Sequence, residues 1–309
     1  REVPAEGTEP EKEAGRWEGS HYRKNDIDCY FVRNTTDQWI SRKGGCMQQS
    51  KIPEIWNPLN GKIVSIPVYE QQGKYINIPI TLAPYGSYLV VFKKGHATSL
   101  FTDVTTIHGA SPPLMEFAHD GIIFLNAGNF ELKNKSAARL IENKQTIQAI
   151  NGSWDVSFTK GWGAPGSVIF PQLTSWTSNE NPGIKYYSGI GTYRKTFRFD
   201  NTFPLSKSQR IFIDLGEISK VAEVWLNGQR IAIAWAKPFN LDVTDFIRDG
   251  ENKLTVKVAN TWSNRLTGDA LTGEKFTNTN VNISRKNIKW ADTPLIPSGL
   301  LGPVTIQSV

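Results

Sequence analysis

RIFIDLGEISKVAEVWLNGQRIAIAW, residues 210–235, decides the fold. At its centre stands Asn227-Gly228, two residues that accept positive φ at little cost. Asn-Gly between alternating apolar runs is the strongest short-range hairpin signal, a two-residue type I′ turn. Pairing across that turn sets Leu226 opposite Gln229, Trp225 opposite Arg230 and Val224 opposite Ile231. One face then carries Ala222, Val224, Leu226, Ile231 and Ile233, enough for a core. The other carries Glu223, Trp225 and Arg230, where cation and indole are set to stack. Ile211–Leu215 leads in as a strand, and Leu254, Val256 and Val258 alternate in a strand that follows. The pattern is an antiparallel sheet with one dry face, as in a β-sandwich.

Working outward, the 309 residues are long enough for two domains. Hydrophobic residues make up 39% and charged residues 21%, which marks a globular chain. The 15 Phe, 10 Trp and 9 Tyr stand against 2 Met and 2 Cys. Most of these rings fill sandwich cores; exposed ones suit flat apolar partners such as sugar faces. The net charge is +6, spread without a block of five or more, so nothing marks a nucleic-acid stripe. No apolar run approaches the roughly 20 residues that span a bilayer. Cys29 and Cys46 both flank predicted strands, and the sequence leaves open whether they pair or stand as two free thiols. The chain begins at Arg1 without a signal-peptide pattern, which reads as an excised fragment.

Residues 1–20, rich in Glu, Lys, Pro and Gly, read as a flexible lead-in or linker remnant. From residue 21 to 149, turns recur about every ten residues, as in an all-β sandwich. Tyr75–Leu82 puts Ile76, Ile78, Ile80 and Leu82 on one face, and Tyr88–Phe92 is a short buried run. Ile52–Pro58, with two prolines, reads as an edge or loop. Ser136–Glu142 fits a short helix or a strand. A new unit, 150–309, opens with INGSWDVSF and shows about eight strands with little helix, a jelly-roll-like sandwich. It holds two long loops, Thr159–Pro182 and Thr261–Lys289. Without a β/α alternation there is no catalytic (β/α)₈ barrel in the pattern.

Several phrases carry a family resemblance. YYSGIGTYRKTF (186–197), IDLGEISKVAEVWLNG (213–228), NTWSNRLTGD (260–269) and PSGLLGPV (297–304) resemble the C-terminal galactose-binding-like domain of the α-L-rhamnosidases of glycoside hydrolase family 106. The sugar-binding domain of glycoside hydrolase family 2 shares a looser form of the pattern. DIDCYFVRN (26–34), PEIWNPLNGKI (53–63) and GSYLVVF (86–92) resemble the β-sandwich that follows the barrel in the same enzymes. The family's barrel and its catalytic carboxylates have no counterpart here, and Thr267 stands where an aliphatic residue is expected. The resemblance implies two β-sandwich domains, the second a galactose-binding-like jelly roll. It also implies a glycosidase parent, secreted or periplasmic, whose catalytic domain would be a partner. The chain itself is expected to be inactive.

Glycoside hydrolysis needs two carboxyls flanking one bond, about 5–9.5 Å apart. Glu54, Asp214, Glu217, Glu223, Asp242, Asp245 and Asp269 are available, none in an acid/base context. Asp242 and Asp245 fit the turn around Thr244. The four His are dispersed, and no nucleotide or zinc motif is found. No cofactor is expected; structural calcium, common in galactose-binding-like sandwiches, stays an open alternative, although no dense acidic loop marks a site for it. Carbohydrate binding is the sharper expectation, since sugars are held by stacked rings and forked polar groups. Trp262, Asn264, Arg265 and Asp269 share one loop, Trp235 ends the hairpin, and Trp290 precedes PSGLLGP. The ligand would be a rhamnose- or galactose-containing glycan. Against this stands a purely structural or interaction module, in which Arg265 simply pairs with Asp269. Trp162 and Trp176, in the other long loop, offer a second aromatic platform or an interface with the catalytic domain, while Trp56 reads as structural.

Overall fold

The computed structural model of the chain describes residues 17–95, 99–108, 111–119, 121–200, 210–274, 276 and 289–309. The chain divides into two compact units, Arg1–Thr146 with Val309, and Ile147–Ser308. Of the lead-in, residues 1–16 lie outside the described residues, and 17–20 already belong to the first strand.

The first unit opens with strands β1 (Trp17–Lys24), β2 (Ile27–Asn34), β3 (Ile40–Met47) and β4 (Lys51–Trp56). Next come β5 (Ile63–Ser65), β6 (Glu70–Gln72), β7 (Tyr75–Leu82) and β8 (Ser87–Lys94). A five-stranded sheet, β1-β2-β8-β4-β5, and a three-stranded sheet, β3-β7-β6, share one core. Ile76, Ile78, Ile80 and Leu82 are all buried in it, as the period-2 pattern of β7 requires. Contrary to the proline rule, β4 is an internal strand, paired on both sides. The Pro53 carbonyl accepts from the Ile66 N–H at 3.1 Å, so the missing Pro53 N–H points away from β8, to a place where β5 has already ended. Both cysteines are free thiols, Cys29 half-buried and Cys46 buried.

A second, smaller core follows in the same unit. It is covered by β9 (Asp103–His108), β12 (Gly128–Lys133) and β13 (Ala138–Asn143), in the order β13-β12-β9, and by the hairpin β10 (Met115–Ala118) and β11 (Gly121–Phe124). Val104, Met115, Phe124, Phe130 and Leu132 fill it, with Phe124 and Phe130 stacked 4.3 Å apart. The ambiguous Ser136–Glu142 segment is therefore turn at Ser136 and Ala137 and strand from Ala138, its residues recruited by β12.

The second unit contains β14 (Thr146–Ala149), β15 (Trp154–Phe158), β16 (Ser167–Phe170) and β17 (Ile190–Phe199). These are followed by β18 (Ile211–Asp214), β19 (Glu217–Ile218), β20 (Val221–Leu226), β21 (Gln229–Ala234) and β22 (Asn240–Asp242). The last strands are β23 (Gly250–Ala259), β24 (Leu300–Gly302) and β25 (Thr305–Ser308). Among the described residues two helices interrupt them, α1 (Pro182–Lys185) and α2 (Ser263–Thr272). A six-stranded sheet, β16-β15-β17-β23-β20-β21, and a four-stranded sheet, β14-β25-β18-β22, enclose one large core. The architecture is all-β, a sandwich of the expected kind.

The central hairpin turns as expected, with φ of 53° at Asn227 and 82° at Gly228. Leu226 pairs with Gln229 and Trp225 with Arg230, but Val224 then faces Ala232, because one extra residue is inserted opposite the Val224/Trp225 step. This bulge flips the rest of β21, since side chains alternate with period 2. Ala234 turns in and Ile233 turns out, 49% exposed, correcting the expectation that Ile233 joins the core. The cation over the Trp225 ring is also not Arg230. Lys257 Nζ lies 5.2 Å above the ring, while Arg230 Nε donates to Glu223 at 2.9 Å. Lys257 sits on β23, a neighbour the hairpin alone does not reveal.

Candidate functional site: the aromatic loop end of the second unit

Strand register gathers the long loops at one end of the six-stranded sheet. Ala259, ending β23, pairs with Ile190 at the start of β17 and with Val221 at the start of β20. Phe158, ending β15, pairs with Gly191, and Ala234, ending β21, pairs with Ala222. The segments that carry Trp162, Tyr186, Trp235 and Trp262 therefore leave the sheet at a common end. Trp235, 58% exposed, follows β21, which lies two strands from β23, roughly 10 Å at the usual strand spacing.

The segment 261–289, read as loop from its polarity, holds α2 where it is described, while 275 and 277–288 lie outside the described residues. Arg265 and Asp269 form an i,i+4 pair on the helix, Nε to Oδ1 2.7 Å. Gly268 lets the helix close on its neighbour: a Cβ there would lie 2.5 Å from Tyr186 Cβ. Trp262 precedes the first turn and is 44% exposed. Its ring meets Trp162 with centroids 5.3 Å apart and planes tilted 46°. The two long loops thus meet through an indole pair at this end.

The other expected ligand residues divide by burial. Asn264 is buried and its amide is fully used. Nδ2 donates to Ile296 O at 2.8 Å and Ser298 Oγ at 2.9 Å, and Oδ1 accepts from Ile296 N at 2.8 Å. It ties α2 to the final loop, and no part of it reaches solvent. Arg265 is 1% exposed. Its backbone N–H donates to Ser188 Oγ at 3.0 Å, and its guanidinium carbon lies 4.6 Å from the Phe276 ring centroid and 5.9 Å from that of Tyr186. Nη1 is buried without an acceptor. Trp290, half-buried, lies in the 3-10 turn Trp290–Asp292, which packs against α2. Asn260, just before α2, binds Tyr187 O at 2.9 Å, Ser298 Oγ at 3.0 Å and Gly189 N at 2.9 Å. Sequence reasoning missed Tyr186, Tyr187, Asn260 and Ser298, although all four lie inside the phrases YYSGIG, NTW and PSG.

Trp176 is no platform. It is 0% exposed, its Nε1 donates to Tyr193 OH, and Phe158 and Tyr187 pack edge-on against it. Six of the seven carboxylates considered for catalysis are held by local partners, Asp269 by Arg265 as above; exposed Asp245 is the exception. Glu54 accepts from Trp56 Nε1 at 2.9 Å and Lys93 at 2.7 Å. Burial opposes its ionisation, but those two bonds prevail and hold it below its usual value. Glu223 is bound by Lys257 and Arg230, Glu217 by Lys237, and Asp242 caps the turn at Thr244. Asp214 accepts from Gly216 N at 2.8 Å, and burial raises its carboxyl. Among the described residues no group of three or more His, Cys, Asp or Glu is set to hold a metal ion.

The family model of the glycosyl hydrolases family 2 sugar binding domain matches residues 129–285, half of the chain. A putative beta-glucuronidase of Formosa agariphila is 36% identical over 203 residues, 57% of this chain and 17% of that protein. A beta-galactosidase large subunit of Leuconostoc lactis is 38% identical over 71 residues, 22% of this chain and 11% of that protein. The solved structure of a rhamnosidase from Novosphingobium sp. PP1Y is similar over 96% of this chain and 24% of its own, with a TM-score of 0.73 at 29% identity. The chain thus spans a quarter or less of each of these relatives.

Proposed function

The chain belongs to the family of the glycosyl hydrolase family 2 sugar-binding domain, and from that premise we propose that it is the carbohydrate-holding accessory region of an α-L-rhamnosidase-like glycoside hydrolase. The ligand lies against the loop end of the second unit, on Trp162 and Trp262, with Trp235 and Trp290 at its margin. The observation that carries this reading is the indole pair of half-buried Trp162 and exposed Trp262, formed where two long loops converge. A tilted pair of rings offers the apolar surface on which a sugar's C–H face stacks. Asn264 takes no part in binding; it holds the helix that presents Trp262. The finer placement beside the family 106 rhamnosidases is supported by the Novosphingobium likeness, which runs through both units, whereas the curated relatives bear the names of glucuronidases and galactosidases. Hydrolysis belongs to the parent's catalytic domain, and export from the cytoplasm follows from the same resemblance.

Calorimetric titration with rhamnose- and galactose-containing oligosaccharides tests the reading, with a rhamnosidase assay on the same sample. Saturable binding without turnover, weakened about two- to tenfold in Trp262→Ala, is the expected result, a loss in the range of a stacked ring. Unchanged binding in that variant would remove the site. One observation favours a second reading, a scaffold without sugar affinity: Asn264 and Arg265, the polar half of the expected site, are spent on internal packing. The absence of binding across the panel would select it.

A further inference from the structure

One buried side chain touches the support of both indoles. Arg265 lies in the first turn of α2, three residues after Trp262, and the Leu266 N–H beside it donates to Trp262 O at 3.1 Å. From there its guanidinium reaches the other loop. A Cβ at Gly163, the residue after Trp162, would lie 3.4 Å from Arg265 Nη1 and 3.3 Å from the Phe276 ring. Gly163 has a φ of 90°, where a side chain is strained, and its carbonyl is pressed against α1: a Cβ at Gly183 would fall 1.9 Å from Gly163 O. The guanidinium is itself fixed. Asp269 holds Nε at 2.7 Å, and the rings of Tyr186 and Phe276 lie 5.9 and 4.6 Å from its central carbon. Nη1 is buried without an acceptor, so it meets Gly163 by packing and not by a hydrogen bond.

We propose that Arg265 is the positioning residue of the indole pair: its flat guanidinium, wedged against Gly163, holds Trp162 beside Trp262 before any ligand arrives. Its consequence for binding rests on the carbohydrate reading of the site. Rings ordered in advance spare a sugar the cost of immobilising them. The planar, rigid fork is what the wedge requires, and a lysine ammonium on a flexible stem does not supply it.

The test reads the pair directly. Two indoles with centroids 5.3 Å apart and planes tilted 46° couple into a signed exciton couplet in far-UV circular dichroism, isolated by subtracting the spectrum of Trp262→Phe. The 309-residue chain is expected to show the couplet without ligand, and its absence would overturn the inference. Arg265→Gln keeps a donor for Asp269, and Arg265→Lys keeps the charge. Both are expected to unfold cooperatively yet lose the couplet, and to bind sugar about two- to tenfold more weakly, the range of a lost stacked ring. A couplet of parental size in Arg265→Gln would overturn the inference. So would its full rescue in Arg265→Lys, which would leave only an ion pair with Asp269. Should both variants fail to fold, Gly163→Ala decides: its methyl presses on Arg265 and Phe276, so the couplet is expected to shrink, and an unchanged couplet overturns the wedge. If the parent binds no sugar, the carbohydrate reading falls and the couplet alone judges the positioning.

Discussion

Helix α2 presents a ring to solvent with one residue and anchors itself with another, and Asn264→Ala separates the two roles. The substitution removes three hydrogen bonds at 2.8–2.9 Å. Ser298 Oγ keeps Asn260 as a partner and still donates to Ile296 C=O at 2.9 Å, so the group left bare is the Ile296 N–H. A bare buried group costs about 1–3 kcal/mol. Ile296 itself is partly exposed, so about 2 kcal/mol is expected overall. For a unit the size of Ile147–Ser308 each kcal/mol lowers Tm by roughly 2–4 °C, which gives a fall of about 4–8 °C. Tryptophan fluorescence during thermal or urea unfolding is a suitable readout, since seven of the ten tryptophans (154, 162, 176, 225, 235, 262 and 290) lie in this unit. Trp262→Ala is the control. Its ring is half in solvent, so its stability is expected within about 1 kcal/mol of the parent while its sugar affinity falls. If Asn264→Ala unfolds at the parent's temperature, the amide is not an anchor and the division of labour on α2 is wrong.

Three further outcomes follow from named contacts. Ile233→Lys is expected to change stability by no more than about 0.5 kcal/mol in urea titration, because the bulge turns that side chain outward; a loss above about 2 kcal/mol would show it inside the core. Burial pushes the Cys46 thiol up to about 12, so at pH 8 a maleimide should label Cys29 but reach Cys46 only after unfolding; equal labelling rates in the native protein would contradict its burial. Burial works against the charge on Asp28, yet the contacts from Lys51 and His21 prevail and hold its carboxyl below the ordinary value. A carboxyl lowered by folding lends stability above its unfolded pKa of about 3.9 and loses it as pH falls through the folded value. The first unit should therefore weaken only below about pH 4, and Asp28→Asn should flatten that part of the curve in pH-dependent urea melts.

The local rules and the tertiary structure part company at identifiable residues. Asn227-Gly228 was legible because positive φ at two successive positions is a property of those residues alone. The bulge opposite Val224/Trp225 was not, since it comes from how β21 lies on the core rather than from the turn. Lys257 displaced Arg230 over Trp225 because a neighbouring strand, fixed only by the sheet order, brings in a second cation. Pro53 reads as an edge residue until the end of β5 is known. The polar run after Asn260 hid a helix whose buried side, Asn264, Arg265 and Thr267, is polar; the final loop meets Asn264 and Thr267, while the Arg265 side chain pairs with Asp269 on the helix itself.

The sequence by itself determined an all-β chain with a hairpin at its centre, and it marked the phrases that align with glycoside hydrolase sugar-binding domains. Alternation and turn chemistry act between near neighbours, so they survive without coordinates. Only the tertiary structure decided which rings do what: Trp176 plugs the core, half-buried Trp162 meets exposed Trp262, and Arg265 is buried with a donor to spare. Those outcomes depend on contacts between residues that lie about a hundred positions apart in Trp162 and Trp262, and 77 apart in Ser188 and Arg265. Burial and convergence are properties of the packed sandwich, and no local pattern encodes them.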